Sequence, residues 1–299
     1  MMLKNFDQME QFVRDQSGKK RVALAAAHDS DALGSLMMAV DRGIAEAILI
    51  GRQEEIVRLL DEMGQDAGDF RILDEEDDRA AADKAVELVH RGEADMPMKG
   101  LMHTSTFMKA ILDKEKGLKE GGNLLSQASV FEIPEKDKLL IISDCAVNID
   151  PDLETKIKIT ENTVTLAHTL GIEQPKIAVL SAVEVVNPKI QSTVDAAAMC
   201  ERLSDRYLID GPLALDNAID EAAAHHKGIE SPVAGKADIL IVPDLWSGNI
   251  FSKGLVFFAH LRSAGTLNGL KAPVVMSSRT DTVENKYLSI LTAVLQSIR

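Results

Sequence analysis

The chain has 299 residues, 45% of them apolar, and a formal net charge of −14. That length accommodates two ordinary domains with a substantial core. The acidic balance argues against a nucleic-acid or anionic-membrane surface, though not against a small anionic substrate held in a locally positive pocket.

Residues 1–17 read as an opening amphipathic helix, polar and unlike a signal sequence. The run VALAAA at 22–27 is a buried strand that ends in His28-Asp29-Ser30-Asp31, and Asp29 or Ser30 is placed to cap the next helix. Gly43 ends that helix, and 45–50 (AEAILI) is the second strand. A short helix at 53–63, a short strand at 70–73 and a helix at 80–90 follow. The acidic run 74–78 suits a solvated helix start, where carboxylates complement the dipole. The segment 96–103 (MPMKGLMH) reads as a strand leading to Thr104-Ser105-Thr106 and a helix through Phe107, Ile111 and Leu112. The glycine-containing, charged stretch 114–123 is expected to be an exposed loop, with the chain crossing between domains near Gly121-Gly122.

Residues 128–133 and 139–143, joined by Pro134-Glu135-Lys136-Asp137, form an expected hairpin ending at Asp144. Asp150-Pro151 starts a long helix, with proline in its first turn. That helix ends at Gly171-Ile172, the same join seen at Gly43-Ile44, and feeds a strand at 177–180. A helix spans 190–203, and a short strand at 207–209 ends in Asp210-Gly211-Pro212. Residues 215–224 form one helix, with His225-His226 complementing its C-terminal dipole. The strand ADILIV at 237–242 is followed by a helix running to about 264, with Ile250, Phe257 and Leu261 inward and Trp246 packing at a lobe or subunit surface rather than narrowing an acyl pocket. The apolar run 273–276 has strand character, stops at Ser277-Ser278-Arg279, and gives way to a helix capped by Thr280 or Asp281.

Alternating strands and helices mean a mostly parallel α/β sheet covered on both faces. Two Rossmann-like α/β lobes with a cleft between them are expected, 1–126 plus 265–299 in one and 127–264 in the other. No dinucleotide glycine motif, P-loop, H-E-x-x-H or G-x-S-x-G is present. Strand ends instead carry hydroxyls, Asp144, Asn249 and Arg279, and two lysines stand near glycines, Lys99 and Lys253. Such a set suits an anion at helix N-termini and can stabilise charge in a transition state. His28-Asp29-Asp31 is better read as capping than as a metal site, and no metal is expected. Met37, Met38, Met96, Met98 and Met102 read as core and pocket lining. Cys145 and Cys200 give neither a disulfide framework nor a metal spacing, and no apolar run reaches membrane-spanning length, so a cytoplasmic protein without membrane partners is expected.

Several of these residues together resemble the phosphate acetyl/butyryltransferases. The likeness is carried by Val183-Glu184-Val185-Val186-Asn187-Pro188, by Ile209-Asp210-Gly211-Pro212-Leu213-Ala214-Leu215-Asp216-Asn217-Ala218, and by Ser231-Pro232-Val233-Ala234-Gly235. Gly248-Asn249 with Lys253, Pro273-Val274-Val275 through Ser278-Arg279, Met98-Lys99-Gly100-Leu101 with Thr104-Ser105-Thr106-Phe107, and Phe131-Glu132-Ile133-Pro134 add to it. The D-G-P-L-A-L-D-N-A and M-K-G-L…T-S-T-F elements are more similar to the butyryl branch. The resemblance implies a fold like that of isocitrate and isopropylmalate dehydrogenases and the reaction acyl-CoA + phosphate ⇌ acyl phosphate + CoA, by direct attack in a ternary complex. Coenzyme A is then a substrate, no cofactor is implied, and a homo-oligomer is expected. By the same resemblance Arg279 holds phosphate, Ser278 stabilises the reacting carbonyl, and Thr104, Ser105 and Thr106 donate hydrogen bonds. Lys109 stands where the acetyl branch has a CoA-associated arginine, and Asn249 and Lys253 complete the substrate contacts. Asp144, at the end of its strand, reads as a further substrate contact or as a turn residue. Six residues after the arginine the acetyl enzymes carry an aspartate associated with the CoA thiol proton. Here that position is Asn285, which does not titrate, so the base is open, with Glu284 and Asp281 as substitutes.

Overall fold

The computed structural model describes residues 1–119 and 121–299. The chain divides into two units, one formed by Phe6–Asn123 with Ala264–Arg299 and the other by Met1–Asn5 with Leu124–Ser263. Both are α/β.

The first unit opens with α1 (Phe6–Arg14), five residues shorter at its start than the helical pattern suggested, because residues 1–5 belong to the other unit. Then follow β1 (Lys20–Ala25), α2 (Ser30–Asp41), β2 (Ala45–Gly51), α3 (Gln53–Glu62), β3 (Arg71–Asp74), α4 (Asp78–His90), β4 (Met96–Lys99) and α5 (Thr104–Ile111). The four strands are parallel, in the order β3-β2-β1-β4, with Leu24 opposite both Leu49 and Met98. β1 and β4 are buried along almost their whole length, which is why they read as continuous apolar runs without alternation. α2 packs on β2, and α4 on β1 and β4. Met37, Met96, Met98 and Met102 are buried. The expected exposed crossing at 114–123 includes Glu120, which lies outside the described residues. Just before it Leu118 is buried, tied by backbone bonds to Ile111 and Lys271.

The second unit contains the expected hairpin, β5 (Ser126–Ile133) and β6 (Lys138–Ser143), antiparallel. It continues with α6 (Leu153–Thr169), β7 (Lys176–Leu180), α7 (Gln191–Leu203), β8 (Leu208–Leu213), α8 (Leu215–Ile219), α9 (Glu221–His226), β9 (Ile239–Ile241) and α10 (Leu245–Phe257). Within this unit the strands lie in the order β5-β6-β9-β7-β8, parallel from β6 onward. Gly43 and Gly171 both adopt positive φ, and the N–H of the following isoleucine reaches back five residues, Ile44 to Ala39 and Ile172 to Ala167. The repeated Gly-Ile join is therefore a repeated Schellman cap.

Several boundaries differ from the sequence reading. Pro151 precedes α6, whose cap is Asp152. Asp210-Gly211-Pro212 lies inside β8 rather than after it, and Asp220 splits 215–226 into two helices by capping the second. The largest difference is α10, which stops at Phe257. Ile250 and Phe257, expected inward, are 73% and 52% exposed. The buried side of this helix is Gly248, with Phe251 and Leu255 against the core. A helix apolar on nearly all sides carries no phase in its sequence. Gly248 sets the phase by close approach, since a Cβ there would lie 2.7 Å from the Asp144 carbonyl oxygen.

After α10 the chain forms β10 (Ser263–Asn268), where the sequence reading had the end of a helix at about 264 and no strand, and closes with α11 (Val283–Ile298). In the first unit Gly265, Thr266 and Asn268 bond to Ser289 and Gln296 of α11. The run 273–276 makes one parallel bridge, Val275 to Met98, instead of a strand. α11 packs on α1 and α2 and is capped by Thr282, not Thr280 or Asp281.

Candidate functional site

Arg279 sits in a closed turn beyond Val275. The Ser278 N–H donates to Asp281 Oδ2 at 2.7 Å, and the Ser278 and Thr280 hydroxyls lie 3.1 Å apart. Lys286, in the first turn of α11, donates to the carbonyls of Arg279 and Asp281 and so ties the turn to the helix. Two backbone bonds, Lys99 N–H to Val275 O and Val275 N–H to Pro97 O, both at 3.0 Å, fix this segment beside β4.

The carboxyl ends of β1 and β4 meet the same place. Gly100 and Leu101 N–H donate to the carbonyls of Ala25 and Ala26. A Cβ on Gly100 would lie 2.2 Å from the Ala26 oxygen, so only glycine fits. Gly100→Ala is expected to cost about 1–3 kcal/mol or more, since rigid backbone must move. It should also lower activity by shifting Lys99; a thermal melt matching the parent would remove this constraint.

A cavity of about 290 Å³ opens here, lined by Lys99, His103, Ser278, Arg279 and Lys286, with Asp29, Asp31 and Asp78 at its acidic side. It lies at the carboxyl ends of parallel strands and the first turns of α2 and α4, where open α/β sheets place ligands. Arg279 Nη2 lies 3.3 Å from His103 Nδ1, and His103 is the N-cap residue of α5. Among the described residues, no carboxylate stands in ion-pair distance of Arg279 or Lys99. Lys99 is 5% exposed and its Nζ donates only to Gly100 O, at 3.3 Å. Burial holds the Lys99 ammonium below the ordinary lysine range, and the Arg279 charge adds to that.

Of the residues singled out in the sequence, Ser278 and Arg279 line this cavity together. Thr104, Ser105 and Thr106 open α5 directly after His103 without lining it, and Lys109 is exposed in the last turn of that helix. Asp29 caps α2, as the capping reading had it. His28 is buried with Nδ1 unpartnered, and burial lowers its pKa. Asp78, assigned no chemistry as part of a solvated helix start, lines the cavity while Asp77 caps α4. His103 and Lys286 carried no sequence signal, since one reads as a helix flank and the other as a surface lysine.

In the second unit Asn249 Nδ2 donates to Cys145 O at 3.2 Å, and Lys253 is exposed one turn further along α10. Asp144, expected to contact substrate, spends its carboxylate elsewhere. It is 3% exposed and accepts from the N–H groups of Gln127, Ala146, Val147 and Asn148 and from Asn148 Nδ2. A carboxylate with about four lone-pair sites has none left to offer, so Asp144 is the clamp of the 144–148 turn. Both cysteine thiols are pushed up to about 12 by burial, with a neighbouring aspartate adding to it, and are poor nucleophiles.

Residues 79–294 match the model of the family described as phosphate acetyl/butaryl transferase. The chain is 46% identical over 299 residues to a phosphate butyryltransferase of Clostridium acetobutylicum, covering 98% of each chain. It is 43% identical over 288 residues to a phosphate acetyltransferase of Thermotoga maritima, covering 94% of this chain and 97% of the relative. The crystal structure of a branched-chain phosphotransacylase from Enterococcus faecalis is similar with a TM-score of 0.82 at 34% identity, over 93% of this chain and 99% of that one. A match across most of the chain, in sequence and in fold, places it: the chain belongs to the phosphate acetyl/butaryl transferase family.

Proposed function

We propose that this chain transfers a short-chain acyl group reversibly between coenzyme A and phosphate, with butyryl-CoA or a branched relative as the acyl donor. The observation that carries the reading is Arg279, held in a closed turn beside Ser278 at a strand-end cavity, with no carboxylate among the described residues at ion-pair distance. An unpaired guanidinium on a fixed loop suits bidentate capture of phosphate. The phosphate butyryltransferase and branched-chain phosphotransacylase names of two relatives support the acyl class.

In this reading Arg279 orients phosphate for attack on the thioester carbonyl, and the Ser278 hydroxyl donates to the oxygen on which negative charge builds. Thr104, Ser105 and Thr106 add hydroxyls at the start of α5, and the first two add N–H groups there, since the Thr106 N–H donates to the His103 carbonyl. Lys109, Asn249 and Lys253 take the CoA side. Direct transfer is favoured over an acyl-enzyme on cysteine, because both thiols are held far above neutral pH. The architecture is of the isocitrate/isopropylmalate dehydrogenase type, and the enzyme is a cytoplasmic homo-oligomer that needs no cofactor beyond CoA as substrate.

A second reading, acetyl transfer, is favoured by the 43% identity to the Thermotoga phosphate acetyltransferase. One assay separates the two. Phosphate-dependent release of CoA thiol is measured with acetyl-, butyryl- and isobutyryl-CoA side by side. Butyryl- or isobutyryl-CoA is expected to lead in kcat/KM by about 10–200-fold, the reach of a methylene or two in an apolar pocket. Acetyl-CoA leading selects the second reading. Binding of CoA with no release from any donor turns the chain into a non-catalytic binder.

A further inference from the structure

The transfer moves a proton as well as an acyl group, and Asn285 cannot carry it. That residue lies in the first turn of α11, buried, and does not line the Arg279 cavity. Of the other groups that do line it, Asp29 caps α2, and Asp31 and Asp78 sit in the first turns of α2 and α4. Lys286 is spent on the carbonyls of Arg279 and Asp281. His103 is exposed, with one ring nitrogen facing Arg279. Lys99 is the buried group whose amine is nearly unengaged, at the end of β4 and in one cavity with Ser278 and Arg279.

We propose that Lys99 is the proton shuttle between phosphate and the CoA sulfur. This rests on the acyltransferase reading above. As an oxygen of hydrogenphosphate attacks the thioester carbon, the neutral Lys99 amine accepts the phosphate proton. The C–S bond breaks, the sulfur leaves with its electron pair, and the Lys99 ammonium gives it the proton. Acyl phosphate and CoA thiol result, and Lys99 ends neutral, as it began. In reverse the amine takes the thiol proton and returns it to the departing phosphate. No proton is exchanged with solvent and no further reactant is needed.

The surroundings suit that task. Proton transfer is most efficient when the carrier's pKa lies near those of its partners, and a thiol titrates near 8.5. Burial lowers the Lys99 pKa toward that value, Arg279 and Lys286 lower it further, and Asp29 and Asp281 oppose them. The working form is the amine, so turnover rises with pH as Lys99 deprotonates.

The test compares the parent chain with Lys99→Arg and Lys99→Met, reading kcat, KM for phosphate and the pH profile of kcat. Arginine keeps the charge but cannot release a proton. Both variants are expected to lose about 10²–10⁴-fold in kcat, with KM for phosphate little changed and the rising limb of the profile gone. A Lys99→Arg enzyme with near-parent kcat overturns the proposal, as does a Lys99→Met enzyme that loses only phosphate affinity and keeps the limb. Should neither variant fold, the parent decides alone: a kcat that stays flat or falls as pH rises is incompatible with an amine shuttle. A parent chain that releases no thiol at all overturns the acyltransferase reading itself, and this role with it.

Discussion

Arg279→Ala is expected to lower kcat/KM for phosphate by about 10²–10³-fold, the loss typical when one preorganised donor to developing charge is removed. The side chain is exposed and makes no ion pair among the described residues, so its removal leaves no orphaned carboxylate. The turn keeps its shape without it, because Ser278, Asp281 and Lys286 close it through other atoms. Stability should therefore stay within about 0.5 kcal/mol of the parent. Arg279→Lys should recover part of the charge and none of the bidentate fork, leaving activity between the two. Steady-state kinetics at varied phosphate separates a loss in binding from a loss in turnover. Near-parent kcat/KM in Arg279→Ala would remove this residue from the site.

The elements of the first unit were legible because their physics is local. β1 and β2 are apolar runs of strand length, and Asp29 and Gly43 punctuate the helix between them with a cap and a positive-φ stop. The hairpin of β5 and β6 was legible from its turn. What failed depended on distant residues. β10 was missed as a strand because its strand character, in SAGTLN, is weak, and bonds to Ser289 and Gln296 hold it. The inward face of α10 could not be phased, since nearly every position is apolar or small, and the choice fell to the clearance at Gly248.

The site divides in the same way. Ser278 and Arg279 stood out because they end an apolar run. Lys99 was noticed as a lysine beside a glycine and as part of the Met98-Lys99-Gly100-Leu101 segment, but without a role, since its burial is a product of the tertiary fold: β4 lies between β1 and the Val275 segment. Asp144 shows the converse. An aspartate at a strand end invites a substrate role, but nothing local announces that Gln127, seventeen residues earlier, will share its carboxylate with the 146–148 turn.

Asp195→Ala is expected to be the most destabilising single change, by about 3–5 kcal/mol. Lys156 of α6 and Asp195 of α7 are 6% and 9% exposed, with Nζ and Oδ2 2.6 Å apart. The second carboxylate oxygen accepts from Gln191 Nε2 at 2.8 Å, so the acid is satisfied on both sides. Truncating it strands an ammonium between two packed helices, where the desolvation penalty is no longer offset by a partner. The net value of the intact pair is a separate quantity, because both ions already paid that penalty on folding. Replacing both at once, Lys156→Met with Asp195→Leu, should accordingly be close to neutral or even stabilising. Urea unfolding distinguishes these cases if the midpoint moves while the slope holds. A single mutant within 1 kcal/mol of the parent would mean that water reaches Lys156 once the acid is gone. A double mutant as unstable as the single would mean instead that the loss comes from packing between α6 and α7, not from the abandoned charge.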